Sequence, residues 1–279
     1  MATIFLMIRL LSTDFDGTLV DHFATPPVAP ALFEWFAALR RCGVAWALNT
    51  GRDLAFALEG LREFQFPLEP DYILTNEREL FHRNPQGEWH DYGDWNRRCV
   101  VAHDRMFQTE APFHEAMLRY LSEETEARTI YENGRAVGFA AKDDAEMDRF
   151  IAHFHAVRKP GSLFQLQRNT VFLRFCHASY SKGAALGELC RLTRITPQET
   201  FAAGDHHNDL SMLDGRYARW VCAPGNAVEE VKATVRKAGG YVAQARCSDG
   251  VLEALRYFFQ TECQAPTGWG DGEMIEERR

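Results

Sequence analysis

The fold is decided at residues 8–18, which read IRLLSTDFDGT. Ile8–Thr13 is a short apolar run that ends directly in Asp14-Phe15-Asp16-Gly17-Thr18. Such a run is typical of a buried strand in a parallel sheet, and it predicts a polar loop at the carboxyl end of that strand. We therefore expect side chains with a chemical role at Asp14 and Asp16.

Strands and helices alternate along the chain after this stretch. Helical spacing of apolar residues is found at 28–41 and 53–64, and buried strands are predicted at 44–48 and 72–75. The same alternation returns after residue 181, with predicted strands at 200–203, 219–222 and 240–242. This pattern predicts an α/β fold with a doubly wound parallel sheet.

The middle of the chain has a different character. Two pairs of short strands flank turn signals, of which Asn133-Gly134 is the stronger, and helical segments lie between them. We interpret this part as an inserted α+β cap domain with an antiparallel sheet. The predicted organisation is a core in two parts (residues 1–82 and 179–262), a cap (83–178) and a flexible tail (263–279).

Composition limits the classes of partner. The chain has 279 residues and a formal charge of -8, with only short runs of basic residues, which disfavours nucleic acid. Its seven cysteines show no Cys-x-x-Cys pair, as expected for reduced thiols in a cytosol. No signal peptide or membrane helix is predicted, so we expect a cytoplasmic protein, either a monomer or a homodimer.

Acidic residues follow two of the predicted strands. Asp14 and Asp16 follow the first, and Gly204-Asp205-His206-His207-Asn208-Asp209 follows the strand at 200–203. The carboxyl ends of parallel strands share one edge of a sheet, so these acids can converge, and hard oxygen ligands suit Mg²⁺. Each segment read alone is also compatible with an ordinary turn or helix cap.

Two further residues fit the chemistry of phosphate. Thr50 closes the strand at 44–48 with a hydroxyl group, and Lys182 opens a helix with an ammonium group. Either residue alone carries little information. Phosphoryl transfer needs positioning and charge neutralisation, which a hydroxyl, a cation and a metal ion together supply.

The order of these segments resembles that of a known family. Four segments look like the four ordered motifs of the haloacid dehalogenase superfamily: Asp14–Thr18, Thr50-Gly51-Arg52, Lys182-Gly183 and Gly204–Asp209. The insert resembles the type II cap of its Cof-like branch, which includes many sugar-phosphate phosphatases. Two later segments are also similar to that branch: Ala223-Pro224-Gly225-Asn226-Ala227 and Ser248-Asp249-Gly250-Val251. The similarity covers residues 7–259 and implies a phosphatase acting on a small phosphorylated metabolite.

The resemblance also implies a role for each residue. Asp14 would attack phosphorus and form an aspartyl-phosphate, while Asp16 would protonate the leaving oxygen and then take a proton from water. Mg²⁺ would be held by Asp14, the Asp16 carbonyl, Asp205 and Asp209, and Asp209 would also orient Lys182 or a metal-bound water. The residues implied to hold the substrate are Thr50, Gly51, Arg52, Lys182 and Asn208.

Some features of the sequence depart from this family and leave alternatives open. Asn76-Glu77 stands where many members have Asn-Gly, and His206-His207 is an unusual pair. A zinc site on the two histidines is disfavoured because adjacent side chains point apart. A phosphomutase or a non-catalytic sensor of a phosphorylated metabolite are the alternative functions. A dehalogenase is disfavoured because it has no leaving oxygen for Asp16 to protonate.

Overall fold

The structure is a computed structural model and describes residues 7–261. Its strands are β1 (Leu10–Thr13), β2 (Ala45–Asn49), β3 (Tyr72–Thr75), β4 (Glu79–Arg83), β5 (Trp89–Asp91), β6 (Arg128–Glu132), β7 (Arg135–Ala140), β8 (Phe164–Asn169), β9 (Phe172–His177), β10 (Thr200–Ala203), β11 (Trp220–Ala223) and β12 (Tyr241–Val242). Its α-helices are α1 (Pro30–Arg41), α2 (Leu54–Glu63), α3 (Trp95–Thr109), α4 (Ala111–Glu124), α5 (Asp144–Val157), α6 (Lys182–Thr193), α7 (Leu210–Leu213), α8 (Glu229–Lys237) and α9 (Cys247–Thr261).

The chain divides into two compact units. Within the described residues, one unit contains everything up to Gly93 and everything from Lys182 onward, and the other is Asp94–Ser181. The sequence placed the start of the insert at residue 83, whereas β4 and β5 pair with β3 in the sheet of the first unit. Because the segment is rich in turn residues, the two short antiparallel strands gave little signal in the sequence.

The first unit is built on an eight-stranded sheet with the order β12-β11-β10-β1-β2-β3-β4-β5. The strands from β12 to β3 are parallel, and β4 and β5 are antiparallel. In the sheet, β2 lies against one edge of β1 and β10 lies against the other edge. The strand order therefore reverses between β1 and β10, and ligands of such sheets bind at that point beyond the carboxyl ends of the strands.

Helices cover both faces of this sheet. The alternation of side chains along β1 places Leu11 in a cluster with apolar residues of α1, α2 and α9. Ser12 faces the other side, where Asn49 of β2 donates to the carbonyl of Lys182 at 3.2 Å and contacts the sulfur of Met212. Helix α6 thus begins directly against the strand ends. The predicted doubly wound α/β fold is confirmed.

The second unit has an antiparallel sheet with the order β6-β7-β9-β8 together with α3, α4 and α5. Its core is largely aromatic and includes Phe139, Phe150, Phe164 and Phe175. At the predicted hairpin turn Asn133 and Gly134 have φ values of 48° and 76°, which is the geometry that Asn-Gly favours. The aromatic residues of this unit fill its own interior.

The predicted tail at 263–279 lies outside the described residues. No helix in the part of the chain that the structure describes is long and apolar enough to cross a membrane.

Candidate active site

Lys182 lies at the centre of the acidic residues. Its Nζ atom is 2.6 Å from Oδ1 of Asp14 and 2.6 Å from Oδ1 of Asp209, and the side chain is wholly buried. Lys182 is the first residue of α6, so its position follows from where that helix begins. The site thus joins the loop after β1, the start of α6 and the loop after β10.

Charge and burial set the protonation of this pair. Burial alone would lower the pKa of Lys182, but Asp14, Asp209 and Glu77 outweigh it and raise that pKa. Burial raises the pKa of Asp14, the Lys182 charge opposes the rise, and Asp209 and Asp205 add to it. The Asp14 carboxyl group is thus buried beside one ammonium group and two further carboxyl groups, those of Asp209 and Asp205.

Asp205 completes an acidic cluster with Asp14 and Asp209, and one oxygen of each lies within 4.8 Å of the others. Thr18 donates its hydroxyl to Oδ1 of Asp205 at 3.0 Å. Burial and the charge of Asp209 raise the pKa of Asp205 to about 7. Gly17, with a φ of 76°, passes so close to this carboxylate that a Cβ atom there would collide with it. Only glycine fits between β1 and Asp205.

The cluster fits a hard divalent cation. It is made of carboxylate oxygens, and burial together with the neighbouring like charges raises the pKa of both Asp14 and Asp205. Asp209 differs from the other two, because Oδ1 accepts from Lys182 and Oδ2 accepts from the backbone N–H groups of Asp205 and His206, each at 2.9 Å. Asp14 and Asp205 therefore have the freer oxygens.

Asp16 is held by Arg52 and His22. Arg52 donates to both carboxylate oxygens, at 2.8 and 2.6 Å, and Nε2 of His22 lies 2.7 Å from Oδ1. Burial alone would raise the pKa of Asp16, but the Arg52 contacts and those of His22 lower it. The Arg52 guanidinium lies over the rings of Phe56 and Phe15, 4.2 and 4.7 Å from their centres.

The other predicted substrate-binding residues line the strand ends nearby. Thr50 follows β2 and is buried, and its hydroxyl accepts from the backbone N–H of Arg52 at 3.2 Å, across Gly51. Nδ2 of Asn208 donates to Oε1 of Glu77 at 2.9 Å. Asn208 Oδ1 is buried without a hydrogen-bond partner among the described residues.

Three residues of the site were not predicted from the sequence: Glu77, His22 and Asn226. Asn226 links two loops, since Nδ2 donates to the Gly17 carbonyl at 2.7 Å and Oδ1 accepts from the backbone N–H of Cys247 at 2.8 Å. The resemblance to the family covers the Ala223–Ala227 segment without implying a role for Asn226, and it marks Glu77 only as a departure from the family. His22 gave no signal.

The His206-His207 pair lies beside the acidic cluster. Nε2 of His207 is 3.1 Å from Oε2 of Glu230, and the Nδ1 atoms of the two histidines are 3.4 Å apart. Among the described residues, histidine and cysteine side chains form no set that could hold a metal ion, so the zinc reading gains no support.

Comparison with known proteins identifies the family. The sequence model of the haloacid dehalogenase-like hydrolases matches residues 71–255, so the chain belongs to that family. This confirms the resemblance inferred from the four motifs.

Individual relatives match over nearly their whole length. The mannosylfructose-phosphate phosphatase of Agrobacterium fabrum is 27% identical over 264 residues, which cover 90% of this chain and 97% of that protein. The phosphoglycolate phosphatase of Methanoculleus marisnigri is 25% identical over 261 residues, covering 91% and 97%. The sucrose-phosphatase of Synechocystis, solved with sucrose and phosphate, has a TM-score of 0.66 at 21% identity and covers 90% of this chain and 98% of its own.

Proposed function

We propose that this hydrolase is a magnesium-dependent phosphatase that releases phosphate from a small phosphorylated metabolite through an aspartyl-phosphate. The observation that carries the proposal is the buried Asp14 carboxylate, held 2.6 Å from the Lys182 ammonium and within the acidic cluster. A carboxylate can act as the nucleophile of a covalent phosphoryl transfer, and a fixed cation with a divalent-metal site supplies the charge neutralisation that the transfer needs.

In the first step an oxygen of Asp14 forms a bond to phosphorus while the bond from phosphorus to the leaving oxygen breaks. Protonated Asp16 gives its proton to that oxygen, and the product alcohol leaves. In the second step ionised Asp16 takes a proton from water, whose oxygen attacks phosphorus and releases the Asp14 carboxylate and inorganic phosphate. Asp16 is thereby protonated again.

The contacts of Asp16 suit the second step. Arg52 and His22 lower the pKa of Asp16, so the carboxylate is ionised in this arrangement and can take the proton of water. The first step requires the protonated form, which a carboxylate bound by Arg52 disfavours. We infer that substrate weakens the contact between Asp16 and Arg52, which agrees with the predicted role of Arg52 in substrate binding.

The proposed ligands of Mg²⁺ are Asp14, Asp205 and the Asp16 carbonyl. Asp209 is a weaker candidate ligand, because its oxygens already accept from Lys182 and from two backbone N–H groups. When bound, the ion neutralises negative charge on the phosphoryl group. The phosphoryl oxygens are proposed to contact Thr50, Gly51, Asn208 and Lys182. Lys182 supplies the positive charge among these residues.

A sugar phosphate is the favoured substrate. Support comes from the names of the mannosylfructose-phosphate phosphatase and the sucrose-phosphatase, both similar to this chain over about nine-tenths of its length. The cysteines of the described residues are free thiols, which suits the proposed cytoplasmic location.

A phosphate-release screen tests the proposal. Purified protein with Mg²⁺ is assayed against sugar phosphates, polyol phosphates, nucleotides and cofactor phosphates, with Asp14→Asn as the blank. The phosphatase is supported if the protein releases phosphate from at least one of these classes of compound and Asp14→Asn does not. Isomerisation of a sugar bisphosphate without free phosphate would indicate a phosphomutase instead, and tight binding without turnover would indicate a sensor.

A further inference from the structure

The turn between β3 and β4 places a glutamate, Glu77, in a backbone conformation that glutamate rarely adopts. Asn76 and Glu77 have φ values of 49° and 62°, in the left-handed region that asparagine tolerates and glycine adopts freely. Turns that require this geometry between antiparallel strands are commonly built with Asn-Gly. Glu77 therefore holds a strained conformation, and strain of this kind is concentrated at functional sites.

The side chain of Glu77 is directed into the site. The residue is 5% exposed, and its Oε1 accepts from Nδ2 of Asn208 at 2.9 Å, across 131 positions of sequence. The backbone N–H of Glu77 donates to the Thr50 carbonyl oxygen at 3.2 Å. The turn is thus tied by its backbone to one proposed phosphate-binding residue and by its side chain to another.

The contact with Glu77 determines how the Asn208 amide is turned. Oε1 of Glu77 accepts from the amide nitrogen of Asn208, so the nitrogen side of the amide faces Glu77 and Oδ1 faces away. The amide nitrogen donates one N–H to Glu77 and keeps a second that can donate to a phosphoryl oxygen, whereas Oδ1, buried without a partner among the described residues, can only accept. A buried amide with unused hydrogen-bonding capacity is expected to meet a further group.

We propose that Glu77 is a positioning residue for phosphate, which holds the Asn208 amide in the orientation that binds a phosphoryl oxygen. The inference rests on the proposed function, in which Asn208 binds phosphoryl oxygens. If Glu77 only shaped the turn, glycine would serve better at this position because it adopts the same φ without strain.

The test measures phosphate affinity and stability together. Inorganic phosphate binding is measured by calorimetry in the presence of Mg²⁺, and Tm by calorimetric unfolding, for Glu77→Gly, Glu77→Gln, Asn208→Ala and the double variant Glu77→Gly with Asn208→Ala. Arg194→Gly is the matched control, because Arg194 is exposed, lies just after α6 and has a φ of 57°.

We expect Glu77→Gly to weaken phosphate binding about tenfold, the effect of one hydrogen bond to a charged group, while its Tm stays equal or rises. Glu77→Gln keeps an acceptor for Asn208 and should retain most of the affinity. The double variant should bind phosphate no more weakly than Asn208→Ala, because both changes remove the same contact. Arg194→Gly should raise Tm and leave phosphate affinity unchanged.

Additive losses in the double variant, or wild-type affinity in Glu77→Gly, would overturn the inference. The binding measurement does not depend on turnover. A protein that binds phosphate with this coupling but hydrolyses no ester would therefore contradict the proposed function and leave the role of Glu77 intact.

Discussion

The Nζ atom of Lys182 lies 2.6 Å from Oδ1 of Asp14, across 168 positions of sequence. Both residues are buried, so the pair forms only when the start of α6 and the end of β1 are both in place. Such a contact couples chemistry to folding, since the cation that would stabilise charge on phosphate also compensates the buried carboxylates.

Replacing Lys182 by methionine should therefore lower both the rate of phosphate release and the stability of the fold. The change leaves Asp14 and Asp209 buried without their cation, and loss of one partner of a buried ion pair lowers the free energy of unfolding by about 3–5 kcal/mol. Urea unfolding measures this change. Lys142→Ala is the control, because the Lys142 contact with Glu126 is on the surface and should leave stability unchanged. A Lys182→Met protein as stable as the control would contradict the expectation.

Asp14→Asn should abolish turnover while the protein still folds. The amide is nearly isosteric but is a poor nucleophile, so we expect phosphate release to fall by a factor of about 10³ or more. Circular dichroism and Tm verify the fold, and Lys182 keeps Asp209 as a partner in the variant. Full activity of a folded Asp14→Asn protein would exclude the aspartyl-phosphate mechanism.

Stability and metal binding should depend on pH through Asp205. Its pKa of about 7 in the folded protein is well above the usual value. Between about pH 4 and 7 the unfolded chain therefore holds fewer protons at this group than the folded protein does, and the metal-free protein should lose stability as the pH rises through that window.

Mg²⁺ binds the ionised carboxylates, so the gain in Tm on adding Mg²⁺ should grow from about pH 6 to about pH 8. In Asp205→Asn this growth should be much reduced. Chelation should stop hydrolysis, and restoring Mg²⁺ should recover it. The same Tm gain at both pH values in the wild-type protein would exclude this linkage.

Gly60 supports the contact between Arg52 and Asp16. A Cβ atom at this position of α2 would collide with Nη1 of Arg52 and lie 2.9 Å from the ring of Phe15. Gly60→Ala should displace the guanidinium from Asp16 and so weaken Asp16 as the base of the second step, an effect worth about 10²–10⁴ in rate when complete. That step takes a proton from water whatever the leaving group was, so the rates with alkyl and aryl phosphates should fall together. Asp16→Asn also lacks the acid of the first step and should lose far more rate with alkyl than with aryl phosphates. The same uneven loss in Gly60→Ala would contradict the expectation.

The sequence was most informative where residues follow buried strands. Asp14, Thr50 and Asp205 each stand at the end of a parallel strand, and the topology of such a sheet brings strand ends to one edge whatever the intervening chain does. The fold and the general place of the site could therefore be predicted from local patterns. The α+β insert could be predicted from a different local signal, the Asn133-Gly134 turn between two short strands.

Contacts between distant loops could not be predicted. Glu77 meets Asn208, and His22 meets Asp16, through loop conformations that hydrophobic periodicity does not determine. The sequence marked Glu77 only as unusual, because its strain is visible only in the backbone angle. β4 and β5 were missed because short antiparallel strands next to turns carry too few apolar residues to show alternation.

The two-part construction of the core has a consequence during synthesis. β1 leaves the ribosome early, whereas β10, its neighbour in the sheet, follows only after the insert has been made. At about 5–20 residues per second, this delay is on the order of ten to forty seconds. Throughout that time the nascent chain displays an unpaired strand edge that other chains could join. We therefore expect chaperone dependence to fall sharply once residue 203, the end of β10, has left the ribosome.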